Sequence, residues 1–295
     1  MFAFFKRIFL FALINMLIVV SLSLVFNIVT SLLGIRFGNE GTIWLWYSFL
    51  GMGGAFINLL LSKQMATWMM GVQFIDPNTS SPRERKLVEI VHGLARNARL
   101  PAMPDVGIYD SPEVNAFATG PSKRNSLVAV STGLLARMDS EAIEGVLGHE
   151  VTHIANGDMV TMTLIQGVIN TMVLIFARVL SSLLASQVEE RSRGAVQMIS
   201  FYILQIVLSL FGSLVVCYFS RAREYRADAG GAKLAGRERM LAGLKSLRQV
   251  YGQVDDEHQA LATLKISGHA SSFLALFATH PPLEDRIRRL ESAAL

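Results

Sequence analysis

Long uncharged stretches alternate along this chain with polar, charged ones. Four runs are apolar: Ile8 to Ile35, Gly41 to Ser62, Met159 to Ala177, and Ala195 to Ser220. A helix needs about 20 apolar residues to cross a bilayer, so these runs predict about four membrane spans. Lys6 and Arg7 precede the first run as in a signal peptide, but the run far exceeds a signal core and no small-residue cleavage site follows. Trp44, Trp46 and Tyr47 crowd one end of the second run, as an interfacial aromatic belt does, and Lys63 closes the other. The third run is interrupted by Arg178 and continues apolar to Val188, and Glu189 to Arg193 then predict a short charged turn. The last two runs also admit a buried helical pair in a soluble domain. Their length and lack of charge favour spanning.

The polar stretches Gln64 to Asp158 and Arg221 to Leu295 carry the remaining structure. Leu87, Ile90, Val91 and Leu94 recur at helical spacing, and Ser81-Pro82 supplies a cap and a first-turn proline. A helix is predicted over Pro82 to Asn97. Asp105 to Tyr109, Asn115 to Thr119 and Ser126 to Ser131 read as short strands separated by Pro, Gly and Ser. Asp139 to Ala155 reads as a second helix, with Asp139 or Ser140 as its cap and Ile143, Val146 and Leu147 as its apolar face. Gly252 to Ser272 reads as a mobile loop, and Trp68-Met69-Met70 as an interfacial anchor. The expected division is a pair of spans (1–63), the first part of a catalytic domain (64–158), a hydrophobic hairpin (159–220) and the domain's second part (221–295).

Composition supports the membrane reading. Of 295 residues, 52% are hydrophobic and only 17% charged, and the mean hydropathy is +0.41, too apolar for an ordinary soluble domain. The net charge of +4 does not point to nucleic acid, because the cations flank apolar runs. With four spans, Lys6, Arg7, Lys63, Arg221, Arg223 and Arg226 fall on one side. The positive side is cytoplasmic, which would place both termini and the polar segments there. The lone Cys217 forms no intrachain disulfide, so the fold does not depend on an oxidising compartment.

The second predicted helix carries His149, Glu150 and His153, an H-E-x-x-H pattern. Residues four apart share a helical face, so both imidazoles can address one zinc ion. A catalytic zinc takes three protein ligands and keeps one position open. Glu150 can then act as the base that takes a proton from attacking water and returns it to the leaving amine. A lone match arises by chance, so a third ligand is needed. Glu224, in SRAREYRADAGG directly after the fourth run, is the candidate. Asp228, four residues on, is placed to hold a ligand histidine's tautomer. Taken alone, Glu224 pairing with a neighbouring arginine would be the plainer reading. His92, His258 and His269 have no motif context and read as surface or loop residues.

Three ordered motifs carry a resemblance over essentially the whole chain: H-E-V-T-H, then S-R-A-R-E-Y-R-A-D after a hydrophobic hairpin, then T-H-P-P-L-E-D-R-I. The sequence resembles the HtpX family of membrane zinc metalloproteases, related to the CAAX-prenyl-type membrane proteases. The resemblance implies an α+β, gluzincin-like domain, mainly helical with a small sheet. It implies one zinc per chain on His149, His153 and Glu224, with Glu150 as base. It also implies a stress-response protease of a bacterial inner membrane, acting on damaged or misfolded membrane proteins. Asn115 and Ala116 resemble the family's substrate-binding edge strand. His280 resembles a histidine that stabilises the tetrahedral oxyanion, a task Arg286 could share unless it only anchors the last helix. A prenyl-protein processing protease would need more spans than this chain has. A scaffold or carrier with a degenerate motif would need a damaged ligand set or charges inside its spans.

Overall fold

The computed structural model describes residues 40–258 and 280–293. The first expected span, Ile8 to Ile35, lies outside them. In chain order the elements are α1 (Glu40–Met70), β1 (Gln73–Phe74), α2 (Pro82–Asn97), β2 (Asp105–Tyr109), β3 (Ala116–Ser122), β4 (Asn125–Ser131), α3 (Thr132–Arg137), α4 (Ser140–Asn156), α5 (Asp158–Ser186), α6 (Glu190–Ala235), α7 (Arg237–His258) and α8 (Leu283–Ser292). The protein is mostly helical with one small mixed sheet. Two compact units divide it: the described residues up to Leu59 with Met162–Val216, and Leu60–Thr161 with the described residues from Cys217 on.

The two described helices long and apolar enough to cross a membrane are α5 and α6, most of whose residues lie in the first unit. Only 6% of the apolar window of α6 is buried, so it is not the core helix of a soluble domain. Ile199, Ile203, Ile206 and Leu210 lie exposed along it. The count of four spans is thus not met among the described residues: the second expected span is helical within α1 but is not one of these two. Arg178 does not break the third run, which is continuous helix. The charged turn reduces to residues 187–189, because α6 already starts at Glu190.

The second unit is built on the sheet, in order β1-β2-β4-β3. β2 and β4 are parallel, while β1 and β3 are antiparallel to their neighbours. β4 is buried on both faces, and its side chains alternate between them. Val128 and Val130 join Val91, Leu94, Leu147, Val151 and Ile154 beneath α2 and α4, and Leu127 and Ala129 pack with Val72 and Tyr109 on the other face. Each fully buried Val, Leu or Ile side chain among them contributes about 1.5–3 kcal/mol. α2 keeps the predicted bounds, starts with its proline, and buries Leu87, Val91 and Leu94, but Ser81 makes no side-chain cap. On α4 the cap is Asp139, whose carboxylate accepts from the Ala142 N–H at 2.8 Å. The same helix ends at Gly157, whose left-handed φ of 72° turns the chain sharply before Asp158. The mobile loop expected from Gly252 is corrected in its first part, since α7 continues to His258; residues 259–272 lie outside the described ones. His92 is half-buried, its Nε2 3.1 Å from the Pro104 carbonyl, rather than a free surface group.

Close approach of backbones brings α4, α6 and α7 together. A Cβ added at Gly145 would stand 2.0 Å from the Arg239 carbonyl oxygen, and one at Gly231 would stand 2.9 Å from the His149 nitrogen. Larger residues would force α4 away from α7 at Gly145 and away from α6, which carries Glu224, at Gly231. Gly145→Ala is therefore expected to destabilise the protein by about 1–3 kcal/mol through overpacking, read as a lower midpoint of thermal unfolding. An unchanged midpoint would contradict this close crossing.

Candidate active site

His149 and His153 lie one turn apart on α4, and α6 delivers Glu224 opposite them. All three are buried, and Glu224 has no exposed surface. The Nε2 atoms of the two histidines are 3.0 Å apart. His149 Nε2 lies 3.4 Å from Glu224 Oε2, and His153 Nε2 lies 3.4 Å from Glu224 Oε1. Each histidine's other ring nitrogen meets a carboxylate. His149 Nδ1 is 2.9 Å from Asp228 Oδ1, and His153 Nδ1 is 2.7 Å from Asp158 Oδ2. A carboxylate accepts only, so both Nδ1 atoms carry hydrogen and both Nε2 lone pairs face inward.

Two facing lone pairs at 3.0 Å repel unless a cation or proton lies between them. Ligand atoms at about 2.0–2.1 Å around a tetrahedral zinc stand about 3.3 Å apart, close to the observed spacings. Two imidazole nitrogens and a carboxylate oxygen also form a donor set that suits zinc. The three residues could hold one metal ion. Electrostatics agrees. Burial pushes the His149 imidazole down, but Asp228 and then Glu224 outweigh it, and the net shift is upward. Burial also lowers His153, yet Asp158 and Glu224 raise it to about 9. Without metal, the pair retains positive charge in the form of protons.

The surrounding groups extend this network. Arg286, itself buried, donates from Nε and Nη2 to the two oxygens of Asp228 at 2.8 and 2.6 Å. It also lies 3.8 Å from Glu224. His280 Nδ1 is 2.8 Å from Glu224 Oε2, with 62% of its side chain exposed. Glu150 forms no ion pair among the described residues and lines a cavity of about 450 Å³ with His149, Glu224, His280 and Arg286. Asn115 and Ala116 border the same cavity, where β3 forms one margin of the sheet.

The structure thus gathers every residue singled out in the sequence: His149, Glu150, His153, Glu224, Asp228, His280, Asn115 and Ala116. One further group emerges. In the sequence Asp158 reads only as the edge of a polar stretch; its signal is a glycine break followed by an acid five residues past His153. Arg286, for which the sequence leaves oxyanion stabilisation or anchoring of the last helix open, grips Asp228 from α8.

Residues 81–294 match the model of peptidase family M48. The chain belongs to peptidase family M48. It is 51% identical to a Protease HtpX homolog of Bacillus licheniformis over 97% of this chain and 99% of the relative. The corresponding homolog of Bacillus subtilis is 48% identical over 97% and 99%. Protease HtpX of Xanthomonas oryzae pv. oryzae is 45% identical over 98% of each chain. The crystal structure of Ste24p from S. mikatae superposes with a TM-score of 0.58 at 18% identity, covering 96% of this chain and 66% of that one, a likeness of fold. This M48 member is a membrane metalloprotease.

The geometry makes two consequences measurable. Asp158→Ala removes the acceptor that orients His153, and is expected to weaken metal affinity by about 10–100-fold, measured by competition with a chelator; unchanged affinity would refute the orienting role. Below about pH 9, metal must displace the proton held by His153, and the upward shift of His149 acts in the same direction. Loading at neutral pH should therefore release protons, and affinity should fall as pH falls. Calorimetry in buffers of different ionisation enthalpy reads the release, and loading with none would contradict this.

Proposed function

We propose that this chain is a zinc endopeptidase of the bacterial inner membrane that cleaves damaged or misfolded membrane proteins at the cytoplasmic face. The observation that carries the catalytic part is the convergence of His149, His153 and Glu224 beside Glu150, in a cavity bordered by a sheet margin. His149, His153 and Glu224 would hold one zinc. Bound zinc supplies a Lewis acid for the scissile carbonyl and makes a water more acidic.

The chain's own groups perform the remaining work. Glu150 takes a proton from the attacking water as the new C–O bond forms, and delivers it to the amine nitrogen as the C–N bond breaks. Asp158 and Asp228 keep the histidines in the ligand-forming tautomer, and Arg286 holds Asp228 in place. His280 stands at the cavity to stabilise the developing oxyanion. An extended substrate segment adds to the margin of the sheet at Asn115 and Ala116 through main-chain hydrogen bonds, which demands little sequence identity. That tolerance suits unfolded substrates.

The cellular part rests on the chain's apolar runs and their flanking charges. α5 and α6 support a hairpin in the bilayer between the two polar segments. Lys63, Arg221, Arg223 and Arg226 flank the runs on the side assigned to the cytoplasm. Membrane proteins, and the bilayer itself, are then the partners.

The test uses protein purified in detergent and loaded with zinc, with unfolded casein as substrate. Glu150→Gln is expected to retain one zinc per chain and lose cleavage by at least about a hundredfold, given what a positioned acid–base group contributes. Glu224→Ala is expected to lose tight zinc binding. Cleavage by Glu150→Gln at the wild-type rate would overturn the assignment.

A further inference from the structure

The β3–β4 hairpin turns through Ser122-Lys123-Arg124-Asn125, and the fold holds this polar tip beside two helices that lead into apolar runs. On one side, Asn125 Oδ1 accepts from Lys63 Nζ at 2.9 Å, and Lys63 closes the apolar run of α1. On the other side, Lys123 Nζ donates to the Ala155 carbonyl near the end of α4. A Cβ added at Gly157, directly before α5, would stand 3.2 Å from Lys123 Cε. The tip is also stiff. The ladder is irregular between Thr119 and Ser122, and the Asn125 N–H donates to Ser122 Oγ at 3.2 Å. Gly120 takes a φ of 140°, and a Cβ there would stand 2.3 Å from the Asn125 carbonyl oxygen. An irregularity of this kind sets the direction in which a hairpin points.

Positive charge at the tip is left unbalanced. The nearby acids are already committed: Asp105 to Lys63, and Asp158 to His153. Lys123 and Arg124 are both exposed. Lys123 spends one of its three N–H donors on Ala155 and keeps its charge. Arg124 makes no ion pair or side-chain hydrogen bond among the described residues, so its planar fork of donors, which matches phosphate oxygens, stays open. Phe74 is 50% exposed, with its ring centre 5.8 Å from Lys63 Nζ, an aromatic group beside a cation of the kind found at headgroup depth. Neither Lys123 nor Arg124 lines the active-site cavity. Their neighbours are the helix ends that enter apolar runs, which favours a lipid over a substrate segment as the anion they meet.

We propose that Lys123 and Arg124 bind the phosphate of an anionic phospholipid and so fasten the β3–β4 hairpin to the membrane surface. β3 starts at Ala116, which borders the active-site cavity. The bound lipid therefore keeps this margin of the sheet at the bilayer, where segments of membrane proteins emerge. That consequence rests on the peptidase reading, whereas the lipid site itself does not, and it is read by lipid binding without any cleavage.

The experiment titrates the full chain in neutral detergent with phosphatidylglycerol or phosphatidylcholine and counts bound lipid by native mass spectrometry. Phosphatidylglycerol should bind at least about fivefold more tightly, the factor that one basic residue near an anionic membrane surface contributes. Arg124→Ser should lose about that fivefold factor for phosphatidylglycerol and nothing for phosphatidylcholine. Arg124→Lys keeps the charge and should stay within about twofold of wild type. Equal affinity of the wild type for the two lipids, or an Arg124→Ser chain with unchanged affinity for phosphatidylglycerol, would overturn the site. So would a loss in Arg124→Lys as large as that in Arg124→Ser, because shape rather than charge would then decide. A short acidic peptide that binds more tightly than phosphatidylglycerol, and is lost in Arg124→Ser, would assign the two cations to substrate instead and overturn it as well.

Discussion

A carboxylate with no exposed surface is costly unless cationic or hydrogen-bonding partners surround it. Glu224 is such a group, facing two imidazoles whose Nε2 atoms stand 3.0 Å apart. Neither the acid nor the two facing lone pairs is tolerable alone; a shared cation satisfies all three. Much of the second unit meets this constraint. The glycines of α4 and α6 allow the helix backbones to approach closely. Asp158 and Asp228 fix the rings from behind, and Arg286 ties α8 to Asp228.

The order of the chain gives the constraint a further aspect. His149 and His153 come before the two helices that are apolar enough to span a membrane, and Glu224 comes after the apolar run of the second. The ligand set is therefore divided in the sequence by these two apolar helices.

Local patterns are legible in the sequence where the deciding interactions are local. The stripe from Leu87 to Leu94 behind Pro82 marks the bounds of α2, and Asp105 to Tyr109 reads directly as β2. The H-E-x-x-H helix is visible because its apolar face repeats at the same period as its histidines. Glu224, by contrast, needs the ordered set of three motifs, since an acid between arginines is by itself a common surface feature. Asp158 escapes notice because its role depends on the left-handed turn at Gly157, which aims a helix's first residue back at His153. Arg286 is ambiguous in the sequence because its partner lies 58 residues away. The loop expected at Gly252 fails for a different reason: polar and glycine residues there suggest a turn, yet α7 carries on through them.

The most direct test of the metal centre is zinc-edge X-ray absorption on the purified chain, with the metal counted in the same sample. The predicted result is one zinc per chain, with two imidazole nitrogens in its shell, and loss of one of them in His153→Ala. A metal-replete preparation that binds no zinc, or a zinc shell unchanged by His153→Ala, would contradict it.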